Sequence, residues 1–269
     1  MLKDITLGQF FPGDTVVHRL DPRTKILMVI LYIVALFQAK WFVTYGILLA
    51  FLIAAVRLSK VGAKALLRGM KPVLFILIFT GVLNLFYNTT GRVLVQWSIF
   101  TISTGGIRTA FFMVVRIMML ISGTFLLTYT TSPILLTDGI ESLLGPLKKL
   151  CVPVHELAMM MSIALRFIPT LIEETDKIMS AQKARGADFD SGNLIDKAKA
   201  LIPLLVPLFV SAFRRADELA TAMECRCYHG GEGRTRLRQL AYTGKDWITL
   251  ALGIVLLAVV CTLGYGFNL

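Results

Sequence analysis

Trp247-Ile-Thr-Leu-Ala-Leu-Gly-Ile-Val-Leu-Leu-Ala-Val-Val-Cys-Thr-Leu-Gly-Tyr-Gly266 carries no charged side chain from end to end. A helix needs roughly 20 mostly apolar residues to cross the hydrocarbon layer of a bilayer, and this stretch meets that length. Working back along the chain, four more apolar runs stand out: about Ile26–Gln38, short unless its flanks extend it, then Trp41–Val56, Pro72–Tyr87 and Ile107–Thr130. Hydrophobic residues make up 56% of the 269-residue chain, and mean hydropathy is +0.71. A soluble domain sits nearer 45–50% apolar, so the excess points to lipid as the solvent for much of this chain.

The formal net charge is +11, from 28 Lys and Arg against 17 Asp and Glu. These basic residues fall in the gaps between apolar runs and do not gather on one soluble face, which speaks against nucleic acid as a partner. Arg19, Arg23 and Lys25 precede the first run, and Arg57, Lys60, Lys64, Arg68 and Lys71 separate the second from the third. The opposite side receives only Lys40, Arg92 and Arg108. Short cytoplasmic loops accumulate Lys and Arg, so the N-terminus is expected inside and, after five spans, the C-terminus outside. Asn88-Thr89-Thr90-Gly91 reads as a turn, and Val93–Ile102 as a segment that could re-enter the interface.

Cys151, Cys225, Cys227 and Cys261 show no disulfide-framework spacing, and Cys225 and Cys227 are too close to bridge without strain. Their segment is placed in the cytoplasm, where thiols stay reduced. Met1–Gly13 lacks the basic start and apolar core of a cleavable signal peptide.

The segment between the fourth and fifth spans is unusual. The chain divides into residues 1–130 with four spans, 131–245, and 246–269 with the last span. The middle part begins with a short amphipathic piece, Pro133–Leu150, broken at Gly145-Pro146. Two long helical patterns follow, about Val154–Ala184 and Ile195–Arg226, joined by a loop over Gly186–Gly192. Each is apolar in its first half and charged in its second. Both apolar halves carry prolines, Pro169 in one and Pro203 with Pro207 in the other, and proline inside a helix removes a backbone bond and bends the rod. These halves are read as lying along or under the membrane, packed on another hydrophobic protein. The two helices end alike, in Ala181-Gln-Lys-Ala184-Arg185-Gly186 and Ala222-Met-Glu-Cys225-Arg226-Cys227. In each, an Ala precedes the Arg by four residues, on the same face. One such Arg is explained by the helix dipole. Two in matched contexts suggest a shared role, and a guanidinium offers a rigid fork of donors for a partner's carboxylates or helix ends.

Four features resemble the transmembrane T component of energy-coupling factor (ECF) transporters, the EcfT/CbiQ-like family, and together they cover nearly the whole chain. They are Phe11-Pro-Gly-Asp-Thr-Val-Val-His-Arg-Leu-Asp-Pro-Arg-Thr-Lys25, Thr130-Thr-Ser-Pro133 with Leu143-Leu-Gly-Pro146, Leu165-Arg-Phe-Ile-Pro-Thr170, and the two helix-end triplets. The resemblance implies an all-α membrane protein with about five spans and a cytoplasmic coupling region of two long crossing helices and a shorter one. It implies docking of two ABC ATPase subunits on Ala184-Arg185-Gly186 and on Cys225-Arg226-Cys227, which departs from the family's Ala-Arg-Gly in both flanking residues. Cys packs as a small residue but does not favour the left-handed cap that Gly allows. It further implies a membrane-embedded, substrate-binding S component on the apolar faces of the two helices, with Met159, Met160, Met161, Leu165, Pro169, Leu204, Pro207 and Leu208 as candidate contacts. ATP and Mg would be bound by the partner ATPases and no cofactor by this chain, in a bacterial plasma membrane. A close variant of this reading is the dedicated T subunit of a cobalt or nickel importer.

Other readings are weaker. Cys225-x-Cys227-x-His229 has the wrong spacing for zinc and lacks a fourth ligand. Arg116 lies inside the fourth run, where a charge is costly, and either faces the bundle and pairs with a carbonyl or snorkels outward. Unbranched Met159–Met161 suit a surface that accepts several partners, or simply fill a helix. Phe11–Asp14 and His18–Lys25 are expected to hold the N-terminus at the membrane surface. No phosphate-binding Gly-x-x-x-x-Gly-Lys loop occurs, and the Gly230-Gly-Glu-Gly233 turn lacks a strand–loop–helix setting. No catalytic or metal-binding set is expected. A secondary transporter would show inverted repeats and broken spans with midplane charges, and a membrane enzyme a polar cluster at one face. Neither pattern is present in the sequence.

Overall fold

The structure, a computed structural model, describes residues 10–87, 93–97, 100–150, 152–187, 189, 194–230 and 239–266. The turn at Asn88–Gly91, Arg92, Cys151, most of the loop after Gly186 and the Gly231–Gly233 part of the glycine turn lie outside them. The elements in chain order are α1 (Val16–Arg19), α2 (Pro22–Gln38), α3 (Phe42–Ser59), α4 (Ala63–Tyr87), β1 (Val93–Trp97), β2 (Phe100–Ser103), α5 (Thr104–Thr130), α6 (Pro133–Leu143), a 3-10 turn (Gly145–Leu150), α7 (Val154–Ala184), α8 (Leu194–Cys225) and α9 (Gly244–Gly266). The chain forms two compact units, one of Gln9–Gly139 with Leu240–Leu269 and one that holds Ile140–Gln239.

The first unit is a helical bundle. Helices α2, α3, α5 and α9 bury Tyr32, Ala35, Leu36, Leu48, Leu52, Met119 and Val260 in one core. Gly123 lets α5 approach α2, since a Cβ there would stand 3.0 Å from the Tyr32 ring. Small residues permit such close backbones where lipid offers no hydrophobic drive between helices. Outward faces are greasy: Phe75, Ile76, Ile78 and Phe79 of α4 are all exposed, and Phe75 is 77% so. Apolar surface of this extent is a hazard in water and the expected exterior in a bilayer.

Five helices are long and apolar enough to cross a membrane: α3, α4, α5, α7 and α9. The number equals the sequence count, but the membership differs. Helix α2 has only 17 residues, although it starts four residues before the apolar run because Asp21 caps it and Pro22 takes its first position. Helix α7 qualifies through its apolar first half. The Val93–Ile102 stretch, read as a candidate for re-entry, folds in part as an antiparallel hairpin, with Trp97 opposite Phe100 and Val93 opposite Ser103. Alternating β-branched and aromatic residues favour that pleated form.

Several charged side chains inside this unit serve as anchors. Arg116 faces the bundle, donating from Nε to the Tyr45 hydroxyl at 2.9 Å and from Nη2 to the Ala39 carbonyl at 3.1 Å. Lys25 Nζ donates to the carbonyls of His18 at 3.0 Å and Thr130 at 2.9 Å. Fully buried Asp246 receives the Asp21 amide at 2.9 Å on Oδ1, and the Thr243 amide at 2.8 Å and hydroxyl at 2.5 Å on Oδ2. Arg23 completes the tie, donating to the Leu240 carbonyl at 3.0 Å and lying over the Tyr242 ring. The Leu20–Lys25 stretch thus clamps the start of α2 to the start of α9.

Candidate functional site

Helices α7 and α8 form the second unit's long hairpin, and three contacts fix their direction. Gln182 Nε2 reaches the Pro203 carbonyl at 3.5 Å. Glu174 receives the Ser211 hydroxyl and, at 2.9 Å, Arg215 Nη2. Met159 and Ile163 share a cavity with Leu219 and Met223. As numbers fall on α7 they rise on α8, so the helices run antiparallel. Arg185 lies at the turn end and Arg226 at the far end, which the Gln182–Pro203 and Glu174–Ser211 register sets opposite Met159. The stretch of α7 from Met159 to Arg185, at ~1.5 Å per residue, puts the two arginines about 39 Å apart along the hairpin. Pro169, Pro203 and Pro207 lie inside these helices without ending them.

The two helix ends are built on one plan. At the first, the Gly186 amide donates to the Lys183 carbonyl at 3.0 Å and the Ala187 amide to Gln182 at 3.0 Å. At the second, the Cys227 amide donates to Glu224 at 2.8 Å and the Tyr228 amide to Met223 at 3.1 Å. Each is a Schellman cap, with the residue after the C-cap in the left-handed region. Gly186 has φ +87° and Cys227 φ +54°. Cysteine therefore adopts the conformation it does not favour, and the geometry matches the glycine end. Arg185 and Arg226 occupy the equivalent C-cap position. Both are exposed, and among the described residues neither guanidinium has a side-chain partner.

Glu174 lies beyond the apolar half of α7. The Ser211 hydroxyl, helped by Arg215, holds its carboxyl below the ordinary carboxylate range against the opposing pull of partial burial. This pair fixes the spacing of the two helices midway between the arginines, and sequence reasoning missed it. Both residues sit in charged halves, but only the antiparallel register brings them together.

The apolar candidates divide. Met160 and Met161 are exposed, Met159 and Leu165 are half-buried, and Pro169 is exposed. On α8, Leu204 is buried, and Pro207 and Leu208 are half-buried. The exposed stripe of α8 is instead Ile202, Val206, Phe209 and Phe213, with Leu205 and Val210 alongside. Steps of four, three and four residues keep them on one face, and that spacing was legible in the sequence. Arg226, Cys227 and His229 line the cavity of about 630 Å3 that Met159, Ile163 and Met223 floor.

Comparison with known proteins places this architecture. The CbiQ family model, described as cobalt transport protein, matches residues 13–237. A protein of Ruminiclostridium cellulolyticum named energy-coupling factor transporter transmembrane protein EcfT is 51% identical over 267 residues, 99% of this chain and 100% of its own. Proteins of the same name from Bacillus subtilis and Lactococcus lactis are 51% and 44% identical, covering 96% and 97% of this chain and 98% of each relative. On that evidence of sequence, and with its apolar helical architecture, the chain belongs to the CbiQ/EcfT family of transmembrane components of ECF transporters.

Proposed function

We propose that this chain is the coupling subunit of an ECF-type ABC importer and is not itself catalytic. Two ABC ATPase subunits, which hold ATP and Mg, dock at the Arg185 and Arg226 ends, and a membrane-embedded S component that binds a vitamin or other micronutrient packs on the apolar faces of α7 and α8. The observation that carries this reading is the pair of equivalent caps at opposite ends of one antiparallel hairpin, each presenting an exposed guanidinium with no side-chain partner among the described residues. ATP-driven closure of the ATPases changes the distance between the points they grip. A hairpin gripped at both ends turns that motion into a shift of its exposed apolar stripe, and the S component moves with it. Helices α2 to α5 and α9 span the bacterial plasma membrane, the N-terminus and hairpin face the cytoplasm, and the C-terminus faces outside. This orientation rests on the Lys and Arg distribution.

A second reading, the dedicated T subunit of a cobalt or nickel importer, is favoured by the description of the family model. Substrate choice would lie in the S component in either case. The test is to express the chain with its ATPases and an S component, purify by a tag on this chain, and reconstitute vesicles. The expected result is a complex with two ATPase subunits and uptake that stops without ATP. A chain that purifies alone and moves a solute without ATPases would overturn the reading.

A further inference from the structure

The chain carries no Asp or Glu from Pro22 to Thr137, so every charged side chain along α2 to α5 is positive. Arg23, Lys25 and Arg116 are held by carbonyls or a hydroxyl inside the bundle. Lys64, Arg68 and Lys71 of α4 differ: all three are exposed, and among the described residues none has a carboxylate partner. They begin a stripe. Lys64, Arg68, Lys71, Phe75, Ile78 and Val82 follow one another by four, three, four, three and four residues, which keeps them on one face of the helix. Its apolar members are exposed too, Phe75 at 77% and Ile78 at 59%. Gly69 lies on a different face, packed so closely on α5 that a Cβ would stand 2.8 Å from the Tyr129 hydroxyl. Beside the stripe, Leu74, Ile78, Gly81 and Val82 form an apolar groove with Val114 and Met118 of α5. A solvated charged face would run on into polar residues, whereas these cations run straight into the groove.

We propose that this face of α4 binds an anionic phospholipid, with the headgroup phosphate on Lys64, Arg68 and Lys71 and an acyl chain in the groove between α4 and α5. The order of charged and apolar residues matches such a lipid, anionic at one end and apolar beyond it. Lys64 and Lys71 stand about 10 Å apart along the axis, at ~1.5 Å per residue. Arg68 between them offers a bidentate fork and the two lysines offer point charges, the donors that phosphate oxygens accept. Lys71 stands immediately before Pro72–Tyr87, the apolar run of this span, which puts the three cations at headgroup depth. Long basic side chains keep their charged ends at that interface, and a basic cluster beside a span attracts anionic lipid. The proposal requires that α4 crosses the membrane and requires nothing of how the ATPases dock.

The test is native mass spectrometry of the full chain in detergent, titrated with phosphatidylglycerol and with phosphatidylcholine of the same acyl chains. The expected result is roughly tenfold or greater tightening for phosphatidylglycerol. The triple variant Lys64→Gln, Arg68→Gln, Lys71→Gln should lose that preference, while the charge-conserving Lys64→Arg with Lys71→Arg should keep it. A control that loses three charges elsewhere, Arg19→Gln, Lys40→Gln, Lys245→Gln, should keep it as well, and size-exclusion profiles report whether each variant is folded. Dihexanoyl phosphatidylglycerol has the same headgroup on chains too short to fill the groove, and should bind roughly tenfold more weakly than the long-chain lipid. Equal binding of the two long-chain lipids, an equal loss in the control variant, or undiminished binding of the short-chain lipid would overturn the proposal. If the triple variant keeps its lipid preference but loses a protein from the purified transporter complex, the face is a protein interface and the lipid site is refuted.

Discussion

Arg215 on α8 donates to Glu174 on α7 at 2.9 Å, with the Ser211 hydroxyl on the same carboxylate. With the Gln182–Pro203 hydrogen bond it ties the two helices together, and it sits between the two capped arginines. If the hairpin acts as one rigid body, the tie is part of its stiffness. Glu174→Ala is expected to lower stability by about 1 kcal/mol, as for a partly exposed charged hydrogen bond, and to lower the ATP-driven uptake rate more than it lowers ATPase capture. Thermal unfolding in detergent and vesicle uptake measure the two effects.

The same carboxylate sets a pH dependence. Its pKa in the folded chain lies below the ordinary value. Its contribution is therefore complete above the unfolded pKa, about 4.3, and is lost as pH falls through the lower folded value. Thermal scans from pH 7 down to the acid limit should show wild type converging on Glu174→Gln only at the acid end. Equal offsets at every pH would contradict the assigned cause.

The left-handed caps predict opposite effects for opposite exchanges. Gly186→Ala places a Cβ at φ +87° and is expected to cost about 1 kcal/mol. Cys227→Gly removes a Cβ at φ +54° and is expected to stabilise by about 0.5–1 kcal/mol, less the entropy glycine adds to the unfolded chain. Thermal shifts of opposite sign would be the signature.

Asp246 is expected to matter more than its place beside a span suggests. Replacing it with Ala strands the buried Asp21 amide and removes the acceptor of the Thr243 amide and hydroxyl, which can turn to solvent, at a cost of about 1–3 kcal/mol. Size-exclusion profiles after heating should show early loss of the folded peak, while Asp246→Asn keeps part of the acceptor function and falls between.

Much of this architecture is legible from period and composition. The limits of α7 and the apolar faces follow from the hydrophobic pattern, and the matched Ala-x-x-x-Arg endings foreshadow the matched caps. Three things were not legible. The 17-residue length of α2 depends on a clamp, through Asp21, Arg23 and Asp246, between residues more than two hundred positions apart. The antiparallel register that joins Glu174 to Arg215 is a tertiary fact that neither helix's pattern contains. Cys227 could be seen to disfavour a left-handed cap, but only the hydrogen bonds of Cys227 and Tyr228 to α8 show that the cap forms anyway.

The exposed stripe of α8 makes the S-component face testable on its own. Val206→Glu places a charge at its centre and is expected to release the S component while both ATPases stay bound, measured by the composition of the purified complex. Loss of the ATPases with retention of the S component would reverse the two assignments.

The most direct test counts ATPase subunits by native mass spectrometry in complexes of wild type, Arg185→Ala, Arg226→Ala and the double variant. The account predicts two, one, one and none, with uptake abolished in all three variants. Two ATPases bound to the double variant would contradict the claim that these capped arginines are the docking points.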